Sequence, residues 1–150
     1  MVTAIIGILA MMGPTIMIQV QNFYLMSTAR TEIQRDARAC LDTINRFLRQ
    51  AKARSIVIDQ PSSGPPPYSR IRFTHIDGRS FEFSQDGSTL VQKINGNSTV
   101  ISRNLIYLAF TFPRSDYNQL VSVSMTMGKN IQLGKRKELE LTIQKIRVMN

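Results

Sequence analysis

Residues 29–51 read ARTEIQRDARACLDTINRFLRQA, and from them the main helix of the fold can be predicted. Small and apolar side chains recur in it at helical spacing, at Ile33, Ala37, Cys40, Leu41, Ile44, Phe47, Leu48 and Ala51. With a rotation of about 100° per residue, these positions share one side of a helix. Four arginines fall on the opposite side, namely Arg35, Arg38, Arg46 and Arg49. The pattern predicts an amphipathic helix whose apolar side is buried against another part of the chain.

The amphipathic stretch belongs to a longer predicted helix. Because no Pro or Gly interrupts the chain between Gln19 and Gln60, one helix is predicted to run to about Ile58. We call its amphipathic part the spine. The predicted organisation is an N-terminal helix over residues 1–28, the spine over 29–59, a proline-rich linker over 60–69 and an antiparallel β domain over 70–150.

The N-terminal stretch carries no charged side chain before Arg30. From Met1 to Ile18 only Thr3 and Thr15 are polar, and 18 residues span about 27 Å, close to the roughly 30 Å of a hydrocarbon core. A transmembrane helix is predicted. A secretory signal cleaved near residues 27–29 and a buried helix of a soluble domain are the alternatives.

Pro14 lies inside this predicted transmembrane helix and has no amide hydrogen to donate. Gly7 and Gly13 loosen the same stretch, so a kink or an unwound turn is predicted between Gly7 and Pro14. The kink is either tolerated without a role or allows close packing on neighbouring helices.

After the prolines of residues 61–67 the apolar periodicity changes from helical to alternating. Asp77-Gly78 predicts a type I′ turn, and further turns are predicted at Asp86-Gly87 and at residues 95–97. The last strand changes parity, which predicts a bulge near Gln144. About six or seven strands are therefore expected in one antiparallel meander packed on the spine, which is an α+β fold.

Composition argues against an enzyme. The chain has one cysteine and one histidine, which excludes a disulfide scaffold and a cysteine-built zinc site. Cys40 is predicted to be a small buried apolar residue, and His75 a surface or edge-strand residue. No phosphate-binding loop or hydrolase motif occurs. We therefore expect no catalytic residue, no metal and no cofactor.

Three stretches carry a resemblance to the type IV pilin-like family. The run Ala4-Ile-Ile-Gly-Ile-Leu9 followed by Pro14 is similar to the prepilin N-terminal segment. Residues 29–51 resemble the spine of W-type minor pilins and J-type pseudopilins, and residues 141–150 resemble their closing strand. The resemblance implies a structural subunit of a type IV pilus or type II secretion-like filament. Its membrane and filament helix would then include Ala4, Ile5, Ile6, Gly7, Ile8, Leu9, Gly13 and Pro14.

The resemblance also implies partners and a location. The partners would be other pilin or pseudopilin subunits, inner-membrane assembly proteins and the lipid bilayer, with Arg35, Arg38, Arg46 and Arg49 as subunit contacts. The location would be the bacterial inner membrane, crossed once, with a periplasmic C-terminal domain. The family's basic leader, cleavage-site glycine, first aromatic residue and nearby glutamate do not occur in this sequence. We therefore expect further mature residues ahead of Met1.

Charge leaves two alternatives open. The net charge is +9, and Arg30, Arg35 and Arg38 directly follow the apolar run, which by the positive-inside rule favours a cytoplasmic C-terminal domain. The arginines, with a basic stretch from Lys129 to Lys137, form a surface that can contact DNA, as in a competence pseudopilin. No aromatic residues are interleaved with them, and Asp42 is placed to pair with Arg38 and Arg46, so we do not expect nucleic acid as a partner. A solitary membrane-anchored envelope domain is the other alternative.

Overall fold

The computed structural model describes residues 2–61, 69–114, 119–131 and 135–149, and the side chains of residues 7, 13–61, 69–114, 119–131 and 145–149. One helix, α1 (Val2–Arg49), is followed by a short 3₁₀ helix, Ala53–Ser55, and then only by strands among the described residues. The strands are β1 (Val57–Asp59), β2 (Arg70–Thr74), β3 (Ser80–Asp86), β4 (Thr89–Ile94), β5 (Asn97–Ser102), β6 (Leu105–Thr111), β7 (Leu120–Ile131) and β8 (Lys135–Arg147). The predicted α+β arrangement, a long N-terminal helix on antiparallel strands, is confirmed.

The strands form two sheets rather than the single meander that was predicted. Strands β1 to β5 make a five-stranded sheet and β6 to β8 a three-stranded sheet, each in sequence order with antiparallel pairing. The two sheets adjoin where the Leu105 amide donates to the Ser88 carbonyl oxygen at 2.9 Å. Alternating side chains predict strands, but they do not specify which neighbour each strand pairs with, so the division was not visible in the sequence.

Two turns differ in geometry although both were predicted from Gly-containing pairs. Between β4 and β5, Asn95 and Gly96 both have positive φ, 49° and 89°, as a two-residue type I′ turn requires. Between β2 and β3, Gly78 has a φ of 90°, whereas the φ of Asp77 is not positive. The Gly78 amide donates to the His75 carbonyl oxygen at 2.9 Å. The predicted type I′ turn at Asp77-Gly78 is therefore wrong; a type I turn followed by a left-handed glycine forms there.

The predicted parity change in the last strand is confirmed. In the pairing of β7 with β8, Val123 lies opposite Gln144 while Met125 lies opposite Leu141. Two steps along β7 thus match three along β8, so β8 carries one extra residue next to Gln144. This bulge restores the inward orientation of Ile146 and Val148, which are both buried.

The helix ends earlier than predicted, at Arg49 rather than near Ile58. The Ile76 amide donates to the Gln50 carbonyl oxygen at 3.0 Å, and the β-branched residues that follow form β1, which pairs with β2. The spine therefore stops short of the predicted boundary at residue 59. Of the predicted linker over 60–69, residues 62–68 lie outside the described residues.

A kink or an unwound turn was predicted between Gly7 and Pro14; the described helix contains no unwound turn there, and the kink stays a prediction. α1 is continuous from Val2 through Pro14 to Arg49. A proline removes one amide donor from a helix, and the remaining hydrogen bonds are sufficient to keep the helical path. A Cβ atom built on Gly7 or Gly13 would meet nothing within 4 Å, so no close packing within the described part of the chain requires glycine there.

The core lies between the spine and both sheets. One side of α1 from Ile33 to Leu48 packs on the inward faces of the strands. Aromatic rings of β2 and β3 cover its C-terminal part, where the Phe47 ring lies 4.7 Å from that of Phe81. The largest fully buried side chains are Phe81, Phe83, Phe110, Ile33, Ile44, Leu48, Ile71, Leu90, Leu105, Leu108, Met125 and Met127.

Candidate functional site

The N-terminal part of α1 extends beyond the globular core. Burial begins at Ala29, whereas nearly every described side chain from Gly13 to Thr28 is exposed. We call residues 13–28 the projecting segment. Its exposed large apolar side chains are Ile16, Met17, Ile18, Val20, Phe23, Tyr24, Leu25 and Met26. The exposed fraction reaches 65% at Met17 and 75% at Phe23.

These apolar side chains surround the helix instead of forming one stripe. Successive residues are rotated by about 100°, so Ile16, Met17 and Ile18 point in three different directions. A continuous exposed apolar surface of this kind is typical of an interaction site rather than of a free monomer surface. In the part of the chain that is described, no helix is both long enough and apolar enough to cross a membrane.

The predicted membrane and filament residues lie in α1 ahead of and within this segment. Gly7, Gly13 and Pro14 are exposed. The side chains of the remaining predicted residues lie outside the described set, namely those of Ala4, Ile5, Ile6, Ile8 and Leu9. Their backbone is helical.

The predicted spine residues lie along the inward side of α1. The fully buried ones are Ile33, Ala37, Cys40, Ile44, Leu48 and Ala51. Leu41 and Phe47 are partly buried and pack against the same core. Ala51 lies just beyond the helix, where it forms an isolated bridge with His75. The same helix is therefore covered on one side from Ala29 onward and uncovered on every side from Gly13 to Thr28.

The four arginines predicted as subunit contacts are exposed on the outward side of α1. We call Arg35, Arg38, Arg46 and Arg49 the arginine face. The Arg46 guanidinium lies 4.9 Å from the centre of the Phe47 ring, and Arg49 Nη2 lies 4.0 Å from the sulfur of Met149.

None of these arginines forms a salt bridge with a described carboxylate. The predicted pairing of Asp42 with Arg38 and Arg46 is thus absent from the described part of the chain. An exposed ion pair on a helix gains only about 0.3–0.5 kcal/mol, which is easily outweighed by side-chain entropy. The arginine face therefore has no salt bridge within the described chain, although Arg35 is close enough to Glu32 to help lower the pKa of that carboxyl.

Most described acids are already paired elsewhere. The salt bridges with Lys and Arg are Glu32–Lys129, Asp59–Arg70, Asp59–Arg72, Asp77–Arg79 and Glu82–Lys93. A hydrogen bond from Arg70 holds the pKa of Asp59 below its usual range, and one from Lys129 does the same for the pKa of Glu32. These pairs stabilise the carboxylates as anions, so the surplus positive charge remains at unpaired cations on the outer surface.

His75 was predicted to be a surface or edge-strand residue, but it is buried directly after β2, a strand that lies between β1 and β3 in the sheet. Only 6% of it is exposed, because the rings of Phe47 and Phe81 lie against it with centroids at 6.4 and 5.4 Å. Its Nε2 lies 2.8 Å from Gln50 Oε1 and its Nδ1 lies 2.9 Å from Asp77 Oδ1. The imidazole therefore joins the end of the spine to the β2–β3 turn, which is a structural role.

The remaining candidates for chemistry are accounted for by packing. Cys40 is buried on the inward side of α1, and desolvation raises the pKa of its thiol to about 11, which disfavours the reactive thiolate. Among the residues that the structure describes, no three His, Cys, Asp or Glu side chains come together where they would hold a metal ion. The distinctive surfaces are therefore the projecting segment and the arginine face.

No protein-family model matches the chain, and no curated protein matches it.

Proposed function

We propose that this chain is a membrane-anchored structural subunit, a minor pilin or pseudopilin of a type IV pilus or type II secretion-like filament. The observation that carries the proposal is the continuity of α1. One unbroken helix passes from a projecting segment with exposed apolar side chains all round to a spine that is covered on one side. The spine of this helix packs on the chain's own sheets, whereas the projecting segment is proposed to pack on something outside the chain.

The outer environment must be apolar. Each large apolar side chain removed from water contributes about 1.5–3 kcal/mol, and the projecting segment exposes such side chains in every direction. A lipid bilayer, or the packed N-terminal helices of other subunits, covers a helix on all sides at once. Before Arg30 the sequence has no charged side chain that would oppose burial in either environment.

The spine's outward side is the proposed contact with neighbouring subunits. The sheets cover the inward side only, so Arg35, Arg38, Arg46 and Arg49 stay available to acidic groups of adjacent pilin-like subunits. Inner-membrane assembly proteins are the other proposed partners. The proposed location is the bacterial inner membrane with a single pass and a periplasmic globular part. The role is structural, with neither a catalytic residue nor a cofactor.

Charge reversal on the arginine face tests the subunit role. Arg38→Glu combined with Arg46→Glu is expected to leave the chain folded, because both side chains are exposed. The same pair should strongly reduce co-purification with pilin-like proteins of the same cell, since each attractive contact becomes a repulsive one. Lys52→Glu with Arg54→Glu is the matched control, since it changes the same number of exposed charges beyond the end of α1.

The same variants separate the alternatives. Binding of the unmodified chain to duplex DNA, measured over a salt series, should be weak. Tight binding that falls steeply with salt and is lost in the arginine variant would favour the DNA-contacting role. Unchanged co-purification in both variants would favour another contact surface, whereas no co-purification of the unmodified chain would favour a solitary membrane-anchored domain.

A further inference from the structure

A second positively charged surface lies at the end of the three-stranded sheet. The pairing of β7 with β8 places Lys129 opposite Lys137, Asn130 opposite Arg136 and Ile131 opposite Lys135. We call Lys129–Ile131 and Lys135–Lys137 the basic strand ends. Lys129 also forms a salt bridge with Glu32 of α1.

The contacts of β7 with α1 fix where the basic strand ends lie. Near the start of β7, the Val148 amide donates to the Gln119 carbonyl oxygen, and the Met149 amide donates to that of Arg49 at the end of the helix. At the other end of β7, Lys129 reaches Glu32. Strand β7 therefore runs antiparallel to α1, and the basic strand ends lie at the side where the projecting segment leaves the core.

The lengths of α1 and β7 place the basic strand ends level with the end of the projecting segment. From Glu32 back to Thr28 the helix rises about 6 Å, and the two residues of β7 beyond Lys129 add about 7 Å in the same direction. The headgroup layer on each side of a bilayer is roughly 5–7 Å thick. If the projecting segment is in a membrane, the basic strand ends therefore lie at headgroup depth.

The excess of positive charge around the basic strand ends favours binding to an anionic surface. Arg30 is exposed on α1 and adds a fifth positive charge to the four cations of the basic strand ends. The acids nearest to them are Glu32 on α1 and Glu138, which lies opposite Gly128 in the sheet. Positive charge remains in excess. Arg46 and Arg49 lie at least 16 residues after Arg30, which is about 25 Å along α1, and they are out of reach of the headgroups. Arg46 and Arg49, the distant half of the arginine face, therefore face a different partner from the basic strand ends.

We propose that the basic strand ends dock on anionic phospholipid headgroups and hold the globular part against the membrane surface. This docking rests on the membrane anchoring proposed for α1. Basic groups close to an anionic bilayer contribute additively, and the attraction is screened by salt. A partner protein with an acidic surface and nucleic acid are the competing occupants.

The test uses the full chain in lipid nanodiscs made of phosphatidylcholine alone or with phosphatidylglycerol. With Cys40→Ala as background, one label is placed at Asn130→Cys, an exposed position, and a second at Ile16→Cys in a separate sample. Quenchers attached to lipid headgroups report on the Asn130 label, and quenchers on acyl chains report on the Ile16 label. The Ile16 label tests the membrane anchoring by itself.

The expected result is quenching of the Ile16 label in both lipids and of the Asn130 label only with phosphatidylglycerol. High salt should abolish the quenching of the Asn130 label by the headgroup quenchers even when the basic strand ends carry no substitution. Neutralising Lys135, Arg136 and Lys137 to Gln should lower the docking equilibrium constant about fivefold for each charge removed. The matched control neutralises Lys52, Arg54 and Arg114, three exposed cations near the opposite end of the spine, and should have no effect.

Two results would overturn the docking. The first is that the Asn130 label is quenched equally in the two lipids, or in neither of them, while the Ile16 label is quenched. This result contradicts recognition of anionic headgroups and leaves the membrane anchoring intact. An unquenched Ile16 label in both lipids contradicts the anchoring itself, and the docking fails with it.

Discussion

Ile44→Asp is expected to prevent the globular part of the chain from folding. Ile44 is completely buried on the inward side of α1, in the cluster formed by the spine and both sheets. A carboxylate there would lose its hydration without gaining a partner, which costs several kcal/mol. Since a domain of this size is stable by only about 5–15 kcal/mol, that cost removes much or all of the stability.

The measurement is urea unfolding of the full chain in mild detergent, followed by the circular dichroism of the strands. Ala39→Asp is the matched control, because it adds the same carboxylate to an exposed position on the same helix. The control should unfold within about 0.5 kcal/mol of the unmodified chain. An Ile44→Asp chain that is as stable as Ala39→Asp would show that this side of α1 is not buried.

Phe81→Ala is expected to destabilise the chain by about 3–5 kcal/mol. The Phe81 ring is fully buried and has three ring neighbours, with centroids 4.7 Å from Phe47, 5.7 Å from Phe73 and 5.4 Å from His75. Truncation leaves a cavity at the point where the end of the spine meets β2 and β3. Both the helix end and the His75 contacts lose packing there.

Phe23→Ala provides the comparison for this effect. It removes the same ring from a position that is 75% exposed in the projecting segment. The free energy of unfolding of the globular part, measured with urea as for Ile44→Asp, should change by no more than about 0.5 kcal/mol. A loss in Phe81→Ala as small as that in Phe23→Ala would contradict the aromatic packing between the spine and the five-stranded sheet.

The sequence was sufficient to predict the helix, its buried side and most of the strands. Helical spacing of apolar residues identifies the inward side without knowledge of the partner, since the geometry of the helix alone decides which positions share a face. The turns were located by Asp-Gly and Asn-Gly pairs for a similar reason. Their backbone preference is local, although the type of turn at Gly78 also depends on the pairing of the flanking strands.

The features that the sequence did not predict depend on contacts between distant residues. The helix stops at Arg49 because Ile56–Ile58 lead into a strand that pairs with residues beyond the linker. The β-branched run Ile56-Val57-Ile58 was the available signal for that strand. The burial of His75 likewise depends on Phe47 from α1 and Phe81 from β3, whereas its own neighbours in sequence are typical of a turn.

Labelling of α1 in native membranes shows whether this helix anchors the chain in a bilayer. On the Cys40→Ala background, Met17→Cys and Arg30→Cys are treated with a water-soluble maleimide before an alkaline wash. We expect the chain to stay in the membrane pellet, the residue 17 thiol to be protected, and the residue 30 thiol to react from the periplasmic side. Release of the chain by the alkaline wash together with a freely reactive thiol at residue 17 would contradict the proposed membrane anchoring.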